Sequence, residues 1–140
     1  MSTKKKTSGG TQIDRVTRGL PIGAQLIAAD NSGARILNLV AVKGAKMRVR
    51  QIPSAKVGDL CICSVVKGNQ KVRRQIVHAI IIRQRQRFKR SDGTSVAFYD
   101  NAAVLVNENG DLKATEIRGA IAKECAERWP RLSSAATMII

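Results

Sequence analysis

Aromatic side chains are scarce in this 140-residue chain: Phe88, Phe98, Tyr99 and Trp129 are the full complement. Proteins that read single-stranded nucleic acid stack successive bases on aromatic rings, so that mode of recognition is not expected. Histidine occurs once, at His78 between Val77 and Ala79, where a structural role is expected. Nucleophilic catalysis needs a base within reach of the nucleophile and a third group to orient that base, and no such set is marked around His78. Phosphate-cradling and dinucleotide-binding glycine loops are missing as well. Neither a catalytic residue nor a cofactor is therefore expected. No run of eighteen apolar residues occurs, and Lys4, Lys5 and Lys6 lead into Thr and Gly instead of an apolar stretch. Neither a membrane partner nor a secretory signal is expected, which points to the cytosol or nucleus.

Cysteine is limited to Cys61, Cys63 and Cys125. Cys61 and Cys63 alternate within a predicted strand, where positions two apart share a face about 6.5 Å apart, too far for a relaxed disulfide. Together with His78 the three thiols supply the residue types of a four-ligand zinc site. A metal-dependent enzyme built on them is one alternative reading. The usual Cys-x-x-Cys spacing is absent, however, and buried reduced thiols acting as small apolar residues account for them better.

Acidic residues are nearly missing from the middle of the chain. Residues 31–91 hold fifteen Lys or Arg against Asp59 alone, which is +14 of the +15 formal charge, and residues 60–91 contain no acid. The flanks are close to neutral, with five bases and two acids in residues 1–30 and five bases and seven acids in residues 92–140. Such segregation predicts one strongly positive face and a polyanionic partner.

Around that middle, the chain reads as short β-branched runs between turn residues. Residues 1–12 lack the apolar surface to offset the entropy of ordering, so a flexible basic tail is expected, taken as residues 1–18. Residues 24–29 and 34–42 are predicted strands joined by the Asp30-Asn31-Ser32-Gly33 turn. Residues 43–56 read as a long exposed loop. Residues 60–66 and 73–88 are further strands, followed by 94–99 beyond Asp92-Gly93, and by a hairpin of 102–106 and 112–117 across Asn109-Gly110. The expected fold is all-β: a small closed five-stranded barrel over residues 19–117, with a basic hairpin. Ala120, Ile121, Cys125, Ala126 and Trp129 then recur at helical spacing, and Pro130 ends that pattern. Residues 118–140 are therefore expected as a short helical segment packed on the barrel, with Trp129 in the core.

Three basic groups carry the candidate chemistry. Arg83, Arg85 and Arg87 alternate with Gln84 and Gln86. On a continuing strand their guanidinium groups would share one face at about 6.6 to 6.8 Å, a spacing close to that of successive phosphates, with the glutamines on the other face. Lys89 and Arg90 extend this row to the hairpin tip, and each arginine fork can hold phosphate oxygens bidentately. The blander account is an edge strand guarded by charge. Lys43, Lys46, Arg48 and Arg50 form a second group, and Lys67, Lys71, Arg73 and Arg74 a third. With few aromatics, and the predicted helix outside the basic middle, folded RNA recognised by shape and backbone is the expected ligand.

These residues also carry a resemblance. Gly19-Leu20-Pro21, the run from Ala29 through Asp30-Asn31-Ser32-Gly33 to Ala34, Val42-Lys43-Gly44, Pro53-Ser54-Ala55 with Val57-Gly58-Asp59, and Ile81-Ile82-Arg83-Gln84-Arg85 are similar to the universal fourteenth protein of the large ribosomal subunit. Asp92-Gly93, Asp100-Asn101-Ala102 and Lys123-Glu124-Cys125-Ala126 with Trp129-Pro130-Arg131 continue it collinearly. Gly-Leu-Pro and Lys-Glu-Cys-Ala resemble the eukaryotic and archaeal branch. Glu116, Arg118 and Ala120 depart from eukaryotic relatives, which typically have Ala, Thr and Pro there.

The resemblance implies a structural constituent of the large subunit that binds large-subunit rRNA near the subunit interface. It implies neighbouring large-subunit proteins, an intersubunit bridge to small-subunit rRNA and a subunit anti-association factor as partners. It also implies a cytoplasmic location on the ribosome, with assembly in the nucleolus in a eukaryotic cell. The apolar end, Met138, Ile139 and Ile140, together with Trp129 and Arg131, is the expected protein-contact surface. A free RNA chaperone or translation factor is the other alternative.

Overall fold

The computed structural model describes residues 16–44 and 49–140. In chain order the elements are β1 (Leu20–Pro21), β2 (Gln25–Ala28), β3 (Ala34–Val42), β4 (Ser54–Ala55), β5 (Leu60–Gly68), β6 (Ile76–Arg83), β7 (Phe88–Lys89), β8 (Ser95–Val96), β9 (Ala102–Val106), β10 (Ala120–Ile121), α1 (Lys123–Arg128), α2 (Pro130–Ala135) and β11 (Met138–Ile139). Strands β2-β3-β5-β6-β9 close into a barrel, with β2 and β9 pairing in parallel and the other neighbours antiparallel. Closure leaves none of the five with a free edge, the outcome expected from the succession of short strands.

Alternation along β5 sets what is inside. Cys61, Cys63 and Val65 are buried while Ile62 and Ser64 are half-exposed. Across the ladder Ile62 faces His78, which shares the outward side, so His78 and the two thiols project from opposite faces of the sheet. That geometry rules out a common metal site for Cys61, Cys63 and His78, and with it the metal-enzyme reading. Burial pushes the thiols of Cys63 and Cys125 up to about 12 and that of Cys61 up as well. Leu26, Leu37, Leu39, Ile81 and Leu105 fill the rest of the interior.

The Asp30–Gly33 turn does more than reverse the chain. Asp30 is buried, and its Oδ2 accepts the Leu105 amide at 2.8 Å while Oδ1 accepts the Ser32 hydroxyl and amide. Asn31 Oδ1 accepts the amides of Thr115 and Glu116, which is why residues 112–117, expected as a strand, touch the barrel only through single bridges at Leu112 and Ile117.

Several expectations shift. The long loop at 43–56 contains β4, which pairs with β1 and buries Ala55. The strand expected over 73–88 is only β6, and that expected over 94–99 is only β8, paired with β7 as the base of the hairpin. Pro130 ends α1 but also opens a second helix at its first position, where a missing amide and a fixed φ cost nothing. The expected tail, residues 1–18, is shorter in what can be described: residues 1–15 lie outside the described residues, while Val16 is buried and the Thr17 carbonyl accepts from Gln84.

The C-terminal region is bound to the barrel by several contacts. Leu132 is fully buried, β11 pairs in parallel with β10, and the Trp129 indole donates to the Gly58 carbonyl at 2.7 Å. The ring of Trp129 lies against Gly110, where φ is +87° and a Cβ would collide with it. Trp129 is half-buried and packed on the core, as its helical spacing suggested.

Candidate nucleic-acid interface

The row expected from Arg83, Arg85 and Arg87 does not form. A register shift between Ile81 and Arg83 ends β6, and the chain beyond it is bent by specific bonds. Gln84 is fully buried: its Nε2 donates to the carbonyls of Thr17 and Gln86, and its Oε1 accepts the Val57 amide. It is an internal strut and offers nothing to a ligand. The Arg85 amide then donates to Asn101 Oδ1 at 2.7 Å.

Arg83 is committed internally. Its Nε and Nη2 donate to the two Asp100 carboxylate oxygens at 2.9 and 3.2 Å, and Nη1 donates to the carbonyls of Arg118 and Ala120 at 3.0 and 2.9 Å. Arg90 is committed in the same way, to both oxygens of buried Glu124 and to the Ile140 carbonyl at 2.6 Å. Both arginines therefore brace the C-terminal segment against the barrel and hairpin, and neither fork is open to a phosphate.

The other expected cations stand differently. Lys43, Arg50, Lys67, Lys71, Arg73, Arg74, Arg85, Arg87 and Lys89 are all exposed, and none has a carboxylate partner among the described residues. Lys46 and Arg48 lie outside the described residues. Asp59, Asp100 and Glu124 pair with Arg128, Arg83 and Arg90, so these three acids are already neutralised. Arg50 and Arg74 have φ of 71° and 62°, a left-handed conformation that costs a side-chain-bearing residue about 1 to 2 kcal/mol. Glycine would sit there more easily.

One cation that the sequence did not single out joins them. Ala34 pairs with Gly68 and Ile36 with Lys67, leaving Arg35 as an extra, unpaired residue in a bulge. The bulge turns both Arg35 and Ile36 away from the interior. Arg35, Lys67, Gly68, Asn69 and Arg73 line an open depression of about 400 Å³. Ile36 in turn lines a neighbouring depression with Arg85, Tyr99 and Asn101. The chain neighbours Arg35 and Ile36 thus link a depression bearing Lys67 and Arg73 to one bearing Arg85. Lys43 follows the far end of β3, at most about 26 Å along the strand from Arg35.

Of the expected protein-contact residues, Met138, Ile139 and Ile140 are about half exposed although their backbone is tied down, the Ile140 amide donating to the Ile121 carbonyl. Arg131 pairs with Asp111 and remains largely exposed.

Fold and surface define the class first: a small, strongly basic β-barrel protein whose unpaired charge is spread over loops, bulge and hairpin instead of being gathered at a catalytic cleft. The chain belongs to the ribosomal protein L14p/L23e family, whose model matches residues 19–140. Large ribosomal subunit protein uL14 of Thermoplasma volcanium is 48% identical over 126 residues, covering 90% of this chain and 96% of that protein. The proteins of the same name from Thermoplasma acidophilum and Picrophilus torridus are 48% and 45% identical with the same coverage. These archaeal relatives agree with the branch expected from the Gly-Leu-Pro and Lys-Glu-Cys-Ala motifs. The protein is accordingly a structural component of the translation machinery and not an enzyme.

Proposed function

We propose that the protein is a structural constituent of the large ribosomal subunit that holds large-subunit rRNA through the surface bearing Arg35, Lys67, Lys71, Arg73, Arg74, Arg85, Arg87 and Lys89, with Lys43 and Arg50 as a separate anchor. The observation that carries this reading is the division of cations into two sets. Arg83, Arg90, Arg128 and Arg131 have internal carboxylates, whereas this set has none among the described residues. Exposed like charges held close together repel, and phosphates relieve that repulsion while releasing counterions. Bent loops and a bulge present these charges at several angles, which suits the irregular backbone of folded RNA better than the regular groove of a duplex.

In this reading the exposed side chains of Met138, Ile139 and Ile140, with Trp129 and Arg131, form a protein-facing surface. It would meet neighbouring large-subunit proteins or a subunit anti-association factor, close to the subunit interface and a bridge to small-subunit rRNA. The location is the cytoplasm, on the ribosome, with nucleolar assembly in a eukaryotic cell. Sedimentation through a high-salt gradient separates this reading from that of a free RNA chaperone or translation factor. A resident component stays with the large-subunit particle as salt is raised, whereas release into the soluble fraction at moderate salt would refute residence.

A further inference from the structure

Tyr99 is the one aromatic side chain that stands fully in solvent, at 102% exposure, while Phe88, Phe98 and Trp129 pack against the core. Its hydroxyl has no partner among the described residues, yet the residues around it are fixed. The Phe98 amide donates to the Gln84 carbonyl, Asp100 holds Arg83 through two bonds, and Asn101 accepts the Arg85 amide on its side chain and the Ile27 amide on its carbonyl. With the backbone pinned on both sides, a ligand that covers the ring has to order only the two side-chain torsions of Tyr99.

The ring borders a depression of about 260 Å³, with apolar walls from Ile27 and Ile36 and polar groups from Gln25, Arg85 and Asn101. That is smaller than the roughly 300 to 1,000 Å³ of sites for drug-sized ligands, and suits a single ring system. Charge selects the occupant. Asp100 is neutralised by Arg83, Arg85 has no carboxylate, and the adjoining depression adds Arg35, Lys67 and Arg73.

We infer that this depression captures one unstacked nucleotide of an RNA bulge or loop, its base stacked on Tyr99 over Ile27 and its phosphate on Arg85, with the Asn101 amide beside the base edge. The inference rests on the RNA-binding reading above, and adds to shape recognition a single point of base contact.

The test compares the full chain with its Tyr99→Ala and Tyr99→Phe variants. The probes are an RNA hairpin carrying a single-nucleotide bulge and the same hairpin without the bulge. Wild type and Tyr99→Phe should prefer the bulged RNA. Tyr99→Ala should weaken binding to it by roughly 5- to 150-fold, the range of one lost base stack, with an unchanged slope of affinity against salt. Equal binding of the bulged RNA by wild type and Tyr99→Ala, with salt dependence intact, overturns the nucleotide site and leaves the phosphate surface standing. Binding without salt dependence would instead strike at the RNA-binding reading itself. In assembled large-subunit particles, ultraviolet crosslinking should place a nucleotide adduct on Tyr99, and a crosslink to a protein residue there would also overturn the site.

Discussion

Replacing Arg83 by Gln should damage the fold and spare the electrostatics of RNA binding. The guanidinium makes four hydrogen bonds, two to Asp100 and two to the carbonyls of Arg118 and Ala120, and its side chain is only 12% exposed. Glutamine is too short to span the same acceptors. A bond to a charged group contributes about 1.5 to 3 kcal/mol, but Asp100 is about a third exposed and water can take over part of its loss. A net destabilisation of about 2 to 3 kcal/mol follows. For a chain of this size each kcal/mol lowers the unfolding midpoint by about 4 °C, so Tm should fall by roughly 8 to 12 °C. Arg85→Gln and Arg87→Gln, with exposed side chains and no internal acceptors, should leave Tm within about 2 °C. Thermal unfolding monitored by circular dichroism measures the first effect, and rRNA-fragment binding across a salt series measures the second. The reasoning fails if Arg83→Gln keeps the wild-type Tm and flattens the salt dependence as a phosphate contact would.

Two further outcomes follow from the site chemistry. Buried thiols held as the neutral form are poor nucleophiles, so Cys61, Cys63 and Cys125 should resist a disulfide reagent at about pH 8 in the native protein and all react after unfolding; fast reaction of any thiol in the folded state would contradict their burial. Asp92 accepts the Thr94 hydroxyl at 2.6 Å and its amide at 3.0 Å, bonds that hold its carboxyl below the ordinary 3.8. Its contribution to the hairpin tip is therefore present above that value and lost as pH falls through the lower folded one, so the Thr94 amide resonance should titrate with a midpoint below 3.8, and a midpoint at or above it would refute the turn.

What was legible in the sequence was what neighbouring residues decide. The β-branched run before Lys67-Gly68-Asn69 placed β5, and Asp30-Asn31-Ser32-Gly33 marked the turn between β2 and β3. A succession of such strands with no edge to spare indicated closure. What escaped was decided at a distance. Arg83 looked like Arg85 and Arg87 because its carboxylate lies seventeen residues on, and Arg90 because Glu124 lies thirty-four on. Local spacing carries no sign of such a pairing. Arg35 was passed over because period-two alternation does not reveal a bulge. The Asn109-Gly110 turn suggests a hairpin with residues 112–117 as its second strand, but Asn31 takes amides that a ladder would need. Pro130 was read as a stop although proline is equally at home on the first turn of the next helix.

The central claim is that the unpaired cations touch rRNA phosphates, and the slope of log affinity against log salt for a large-subunit rRNA fragment tests it most directly. Each lost phosphate contact lowers the magnitude of that slope by about 0.7 to 0.9. A variant with Arg35, Lys67, Arg73 and Arg85 all changed to Gln should keep its fold and lose about 3 from the slope. A folded variant whose slope equals that of the wild type would contradict the account.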